Sequence, residues 1–127
     1  MDIDAELDAK IDDLQKERTR LHAELLALIS QLYEHSVRYK DSELTEWLKD
    51  MEKKDTASME SVSSAFRDLT DEVTTSVEDS FEDRLRHLDH LRAVKRKVQE
   101  QLQLRVDFLL DAIERPKTKL REKNIAT

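Results

Sequence analysis

Glycine is absent from this chain, and with it goes the residue that turns of types II, I′ and II′ and most phosphate-cradling loops require. Hairpin-rich sheets and nucleotide-binding loops are therefore disfavoured together. Cysteine is absent too, so neither disulfides nor thiolate metal sites contribute, which suits a reducing compartment. Proline occurs once and aromatic residues make up 5% of the chain. No apolar run approaches the ~20 residues of a membrane span. The first twenty residues carry seven acidic side chains, unlike a signal or transit peptide. These readings describe a soluble intracellular protein, cytoplasmic or nuclear.

What is present is charge and regularly spaced aliphatic residues. Asp, Glu, Lys and Arg make up 40% of the 127 residues, far above ordinary globular usage. Disordered chains share that richness in charge but lack periodic apolar positions. Here leucine and valine recur at helical spacing, so the fold class is all-α.

In the first segment Leu7, Ile11, Leu14, Arg18, Leu21, Leu25, Leu28 and Leu32 alternate steps of four and three, the pattern of a coiled-coil seam. Arg18 alone interrupts it, either fixing register or snorkelling to the helix edge. Lys40, Asp41 and Ser42 break the pattern, and Asp41 or Ser42 is suited to cap a new helix. Leu44, Trp47, Leu48 and Met51 then define a short amphipathic helix. It is expected to end near Lys54, with Asp55 or Thr56 capping the next one. Trp47 and its neighbours form an apolar cap for the chain's own core or an anchor for a partner, and the core is the favoured fate.

The third segment runs from Met59 to Ile113 through Leu85, Leu88, Leu91, Val98, Leu102 and Leu109, fifteen steps over 54 residues. Between Thr56 and Ser80 ten of 25 residues are Ser or Thr, and hydroxyls that compete for backbone bonds weaken helices. A bend or loop is expected between Thr70 and Ser80. Thr75 and Ser76 within it are candidate phosphorylation sites, with acidic residues three positions on. Pro116 is expected to stop the last helix at Arg115. The organisation read from sequence is an elongated helical bundle or coiled coil of three long stretches over residues 1–115, followed by a basic, flexible tail at 116–127.

Charge is polarised along the chain. Residues 1–83 hold 10 Lys/Arg against 23 Asp/Glu, and residues 84–127 hold 12 against 6. Pairing of the acidic first helix with the basic last one explains this internally. The competing explanation is contact of Arg92, Lys95, Arg96, Lys97, Lys117, Lys119, Arg121 and Lys123 with an anionic partner such as nucleic acid or an acidic filament. No aromatic interleaves these cations, so base stacking is not offered.

His87 and His90, beside Glu82 and Asp83, lack a further ligand in register and are assigned to a solvated or salt-bridged pair rather than a metal site. Carboxylates adjacent in sequence, such as Asp12 and Asp13, point to different sides of a helix and do not form an acid–base pair. No catalytic, cofactor or metal site is expected.

The function expected is a non-enzymatic scaffold or adaptor subunit of a multiprotein assembly of the cytoskeletal, chromosome-segregation or trafficking kind. It would join another helical protein or a second copy through the seam residues Leu7, Ile11, Leu14, Leu21, Leu25, Leu28, Leu32, Trp47, Leu85, Leu88, Leu91, Val98, Leu102, Leu109 and Ile113. The alternatives are an accessory factor that binds an anion through its basic end, and a monomeric three-helix regulatory module.

Overall fold

The computed structural model describes residues 3–75 and 80–125, and among them are three helices and no strand. They are α1 (Ile3–Arg38), α2 (Ser42–Thr74) and α3 (Phe81–Glu122). Each boundary has a local cause. Asp41 caps α2 by accepting the Leu44 N–H at 3.1 Å, and Ser80 caps α3 by accepting the Asp83 N–H at 3.2 Å. Both satisfy a donor that the first helical turn leaves without a partner.

The C-terminal stops are made without glycine. Lys40 and Asn124 take positive φ, at 50° and 56°, which costs a non-glycine residue roughly 1–2 kcal/mol. The reversal lets Asp41 N–H reach the Ser36 carbonyl at 3.0 Å and Ile125 N–H reach the Leu120 carbonyl at 2.9 Å. That is the bond of a Schellman stop. Ile125 also packs against the cluster containing Leu120, the apolar contact that accompanies such stops.

Three clusters fill the core in succession. Leu7 and Ile11 of α1 meet Val62 and Ala65 of α2 and Val98 and Leu102 of α3. Leu21 and Leu25 meet Met51 and the α3 residues Val106, Leu109, Ala112 and Ile113. Leu32 meets Leu44, Leu48 and Leu120. Numbers rise together on α1 and α3 and fall on α2, so α1 and α3 run parallel and α2 runs against both. The bundle is up, down, up, with α3 as the shared wall.

Two expectations change. The helix carrying Trp47 does not end near Lys54, because α2 is continuous to Thr74 and Asp55, instead of capping a new helix, lies buried in its middle. Nor does α3 stop at Arg115. It passes through Pro116 to Glu122, and Pro116 and Leu120 are both buried. A proline inside a helix costs ~3 kcal/mol, and the reading of 116–127 as a loose tail followed from that penalty. Tertiary burial offsets it, since fully covering one Leu side chain contributes about 1.5–3 kcal/mol and the Pro116 ring is covered as well. Leu85 and Leu88, expected as seam residues facing a partner, are exposed in the single chain. The expected break between Thr70 and Ser80 is present, as α2 ends at Thr74 and α3 begins at Phe81. Among the described residues no helix is long and apolar enough to cross a membrane.

Candidate protein-interaction surface

Most of the seam is spent within the chain. Leu7, Ile11, Leu21, Leu25, Leu32, Val98, Leu102, Leu109 and Ile113 are buried in the three clusters, and Leu14, Leu28 and Trp47 are partly buried against them. The Lys119 ammonium sits 5.4 Å from the Trp47 ring centroid, a cation–π contact between α3 and α2. Trp47 thus lies between the core and the surface.

A polar layer crosses this core. Arg105, 2% exposed, donates from Nη1 to the Asp55 carboxylate at 2.6 Å and from Nη2 to His22 Nδ1 at 3.2 Å. A guanidinium only donates, so His22 accepts at that nitrogen. The three residues come from α3, α2 and α1 respectively, so the layer ties all three helices at one level. The sequence reading missed it by tracing the α3 stripe through Val106 and passing over Arg105, which is spaced from Leu102 and Leu109 as an alternative seam position. Arg18, the recognised interruption, is half-buried with its guanidinium 5.7 Å from the Phe66 ring centroid. Burial and the nearby Arg105 charge lower its pKa from the usual arginine value.

The bundle is not three helices thick everywhere. Arg92 of α3 grips Asp4 in the first turn of α1, through Nε at 2.7 Å and Nη2 at 3.1 Å. Lys95 reaches Asp8 at 2.8 Å. The start of α1 is therefore level with Arg92, whereas α3 begins eleven residues earlier at Phe81. Among the described residues, α3 has only α2 beside it for about 16 Å of helix.

The side of this hairpin that α1 would cover is apolar. Seven residues make two helical turns and return to nearly the same face. Two turns before Arg92 and Lys95, the residues that touch α1, stand Leu85 and Leu88, and two turns before Leu88 stands Phe81. On α2, Phe66 faces α1 through Arg18, and two turns on stands Val73. Phe81, Val73, Leu85 and Leu88 are 72%, 62%, 46% and 45% exposed, and Leu91 is half-buried.

Behind this face the two helices are joined by a carboxylate between two imidazoles. The Glu72 carboxylate of α2 lies 3.1 Å from His87 Nδ1 and 3.1 Å from His90 Nε2. The sequence reading left the two histidines as a solvated or salt-bridged pair, and the structure sets both beside a carboxylate that sequence adjacency did not reveal. Among the described residues no group of three metal-binding side chains converges.

The candidate anion-binding cations are largely engaged inside the bundle. Besides Arg92 and Lys95, Lys117 lies 3.7 Å from Glu24 of α1, Lys119 pairs with Glu122, Arg121 donates to the Thr118 hydroxyl and Lys123 holds Asp41 at 2.7 Å. Arg96 and Lys97 are exposed. Lys123 draws the Asp41 pKa below the usual aspartate value, with help from the Leu44 N–H, and Arg92 does the same for Asp4. Thr75 is exposed, its hydroxyl donating to the Asp71 carbonyl at 2.7 Å. Ser76 lies outside the described residues.

No protein-family model, curated protein or solved structure matches the chain, so its function is argued from this geometry.

Proposed function

We propose that the chain is a non-enzymatic helical scaffold or adaptor whose three-helix body folds on its own and whose projecting α2–α3 end joins it to a partner in a larger assembly. The observation that carries this reading is the division of the apolar stripe. The seam residues Leu7, Ile11, Leu21, Leu25, Leu32, Val98, Leu102, Leu109 and Ile113 are buried within the chain, and Leu26, Leu104 and Leu110 are exposed singly on the body, while Phe81, Leu85, Leu88 and Val73 recur at two-turn spacing on the side of the hairpin that α1 leaves open. Contiguous exposed apolar residues rimmed by charge mark interaction sites more often than scattered ones do.

The coiled-coil mode of association expected from the sequence is thereby narrowed to the two-helix end. Binding of an anionic partner by the basic helix draws less support, because Arg92, Lys95, Lys117 and Lys123 already face carboxylates of α1 and of the α1–α2 junction.

Size-exclusion chromatography of extract from cells that make the protein tests the reading. The chain should elute with larger assemblies, and the double variant Leu85→Glu/Leu88→Glu should elute as a monomer while keeping its helicity. Elution unchanged by the double variant would refute the reading.

A further inference from the structure

We infer that the groove beside α2 and α3 beyond the start of α1 takes a leucine-striped helix with basic flanks, supplied by a partner protein. This rests on the reading above, that the hairpin end is the interaction surface, and adds what the occupant must look like.

The chain itself shows how a helix is held in that position. At the start of α1, two of its carboxylates meet two cations of α3. Asp4 meets Arg92 and Asp8 meets Lys95, and Arg96 lines the same groove beside Ile3, Glu6 and Leu7. The apolar positions of α1 point inward and its carboxylates lie along the edge that α3's cations approach. Flanking charges of this kind choose the partner and its orientation.

Beyond α1 the groove continues and the sign of its edge reverses. Two turns before Arg96 stands Asp89, and two turns before Asp89 stands Glu82. The Asp89 side chain is 78% exposed, with Arg92 Nη1 3.9 Å away. Over the whole hairpin end, Arg67 stands against Asp68, Asp71 and Glu72 on α2. On α3, Arg84 and Arg86 stand against Glu82, Asp83 and Asp89. Glu72 lies behind the face against His87 and His90 and Asp83 pairs with Arg86, so the acidic rim of the groove itself is formed by Glu82 and Asp89.

An occupant that repeats the logic of α1 here carries Lys or Arg where α1 carries Asp. A second copy of this end would instead bring another Glu82 and Asp89 to the same acidic rim, and like charges placed together are destabilising. The length fits a helix as well. From Phe81 to Leu91 the exposed track runs about 16 Å, three turns of a docked helix, with Phe81, Leu85, Leu88 and Val73 positioned to meet its apolar stripe.

The test is a fluorescence-anisotropy titration of the full chain with two labelled synthetic helices of identical leucine stripe, one flanked by lysines and one by glutamates. The lysine helix should bind saturably and at least tenfold more tightly than the glutamate helix, and binding should weaken between 50 and 300 mM salt, roughly the range over which surface charges are screened. Leu85→Glu/Leu88→Glu should weaken it at least tenfold and Glu82→Lys/Asp89→Lys should reverse the preference, with helicity checked by circular dichroism. Leu104→Glu, at an exposed leucine on the body, should leave it intact.

Equal binding of both helices, no binding, or equal loss with Leu104→Glu would overturn the inference. So would light scattering that showed a dimer of the chain alone, dissolved by Leu85→Glu/Leu88→Glu, since the occupant would then be a second copy. If the lysine helix fails while the tip variant still releases the chain from its assemblies, only the stated chemistry of the partner falls. If the variant changes neither measurement, the assignment of the surface falls with it.

Discussion

The body and the projecting end of this molecule are built from the same kind of sequence, yet one is closed and the other open. In the body, Leu102 and Leu109 of α3 are fully covered because α1 and α2 approach from two sides. At the end, Leu85 and Leu88 continue the stripe of the same helix and are exposed, with no described residue of α1 beside them. An aliphatic periodicity states that a helix has a face to cover. What covers it depends on where neighbouring helices start and stop.

The largest effect expected from breaking this contrast lies in the polar layer of the body. Arg105→Ala strands the Asp55 carboxylate in the core, and losing one member of a buried pair costs about 3–5 kcal/mol. Urea denaturation should show that loss, and Arg105→Leu/Asp55→Leu should recover most of it. A single variant as stable as the parent would mean the pair is not buried as described.

Next comes the direct contrast within α3. Leu109→Ala should cost about 2–5 kcal/mol, as for other large-to-small changes at covered sites. Leu88→Ala should stay within ~0.5 kcal/mol, as at an exposed position. Equal costs would show that the end is already covered and would remove the distinction between the two regions.

At the opposite end of the molecule, Asp41→Ala removes both the α2 cap and the partner of Lys123, and a cap alone is worth ~1 kcal/mol. Thermal melts should register it as a small drop, larger than that from Leu88→Ala.

The smallest effect is one of pH. Asp4 and Asp41 have pKa values below the ordinary 3.8, each held down first by its cation. A carboxyl depressed in the folded state contributes stability that is complete above its unfolded pKa and is lost as pH falls through the folded one. Stability to urea should therefore decline as pH drops below about 4, and Asp4→Asn should flatten part of that decline. An unchanged slope in Asp4→Asn would show that the α1–α3 clasp at Arg92 does not persist in solution.

Much of this fold was legible from one sequence. The stripe from Leu7 to Leu32 marked α1, Asp41 marked the start of α2, and the hydroxyl-rich stretch marked the break that the structure places between Thr74 and Phe81. The acid-to-base polarity of the chain anticipated the pairs Asp4–Arg92 and Asp8–Lys95. The candidate surface was less legible, because Leu85 and Leu88 look in sequence like any other seam residues. Local rules also misled at Asp55 and Pro116, where a capping residue and a helix breaker each sit inside a helix.

The sequence by itself determined that the chain is helical and which face of each helix is apolar, because side-chain periodicity and caps act within a few residues along the backbone. Only the tertiary structure decided that α2 runs on past Asp55, that α3 runs on past Pro116 and that, among the described residues, the first eleven of α3 have no third helix beside them. Each of those depends on burial against segments tens of residues away, and the free energy of such burial exceeds the local penalties that would otherwise end a helix.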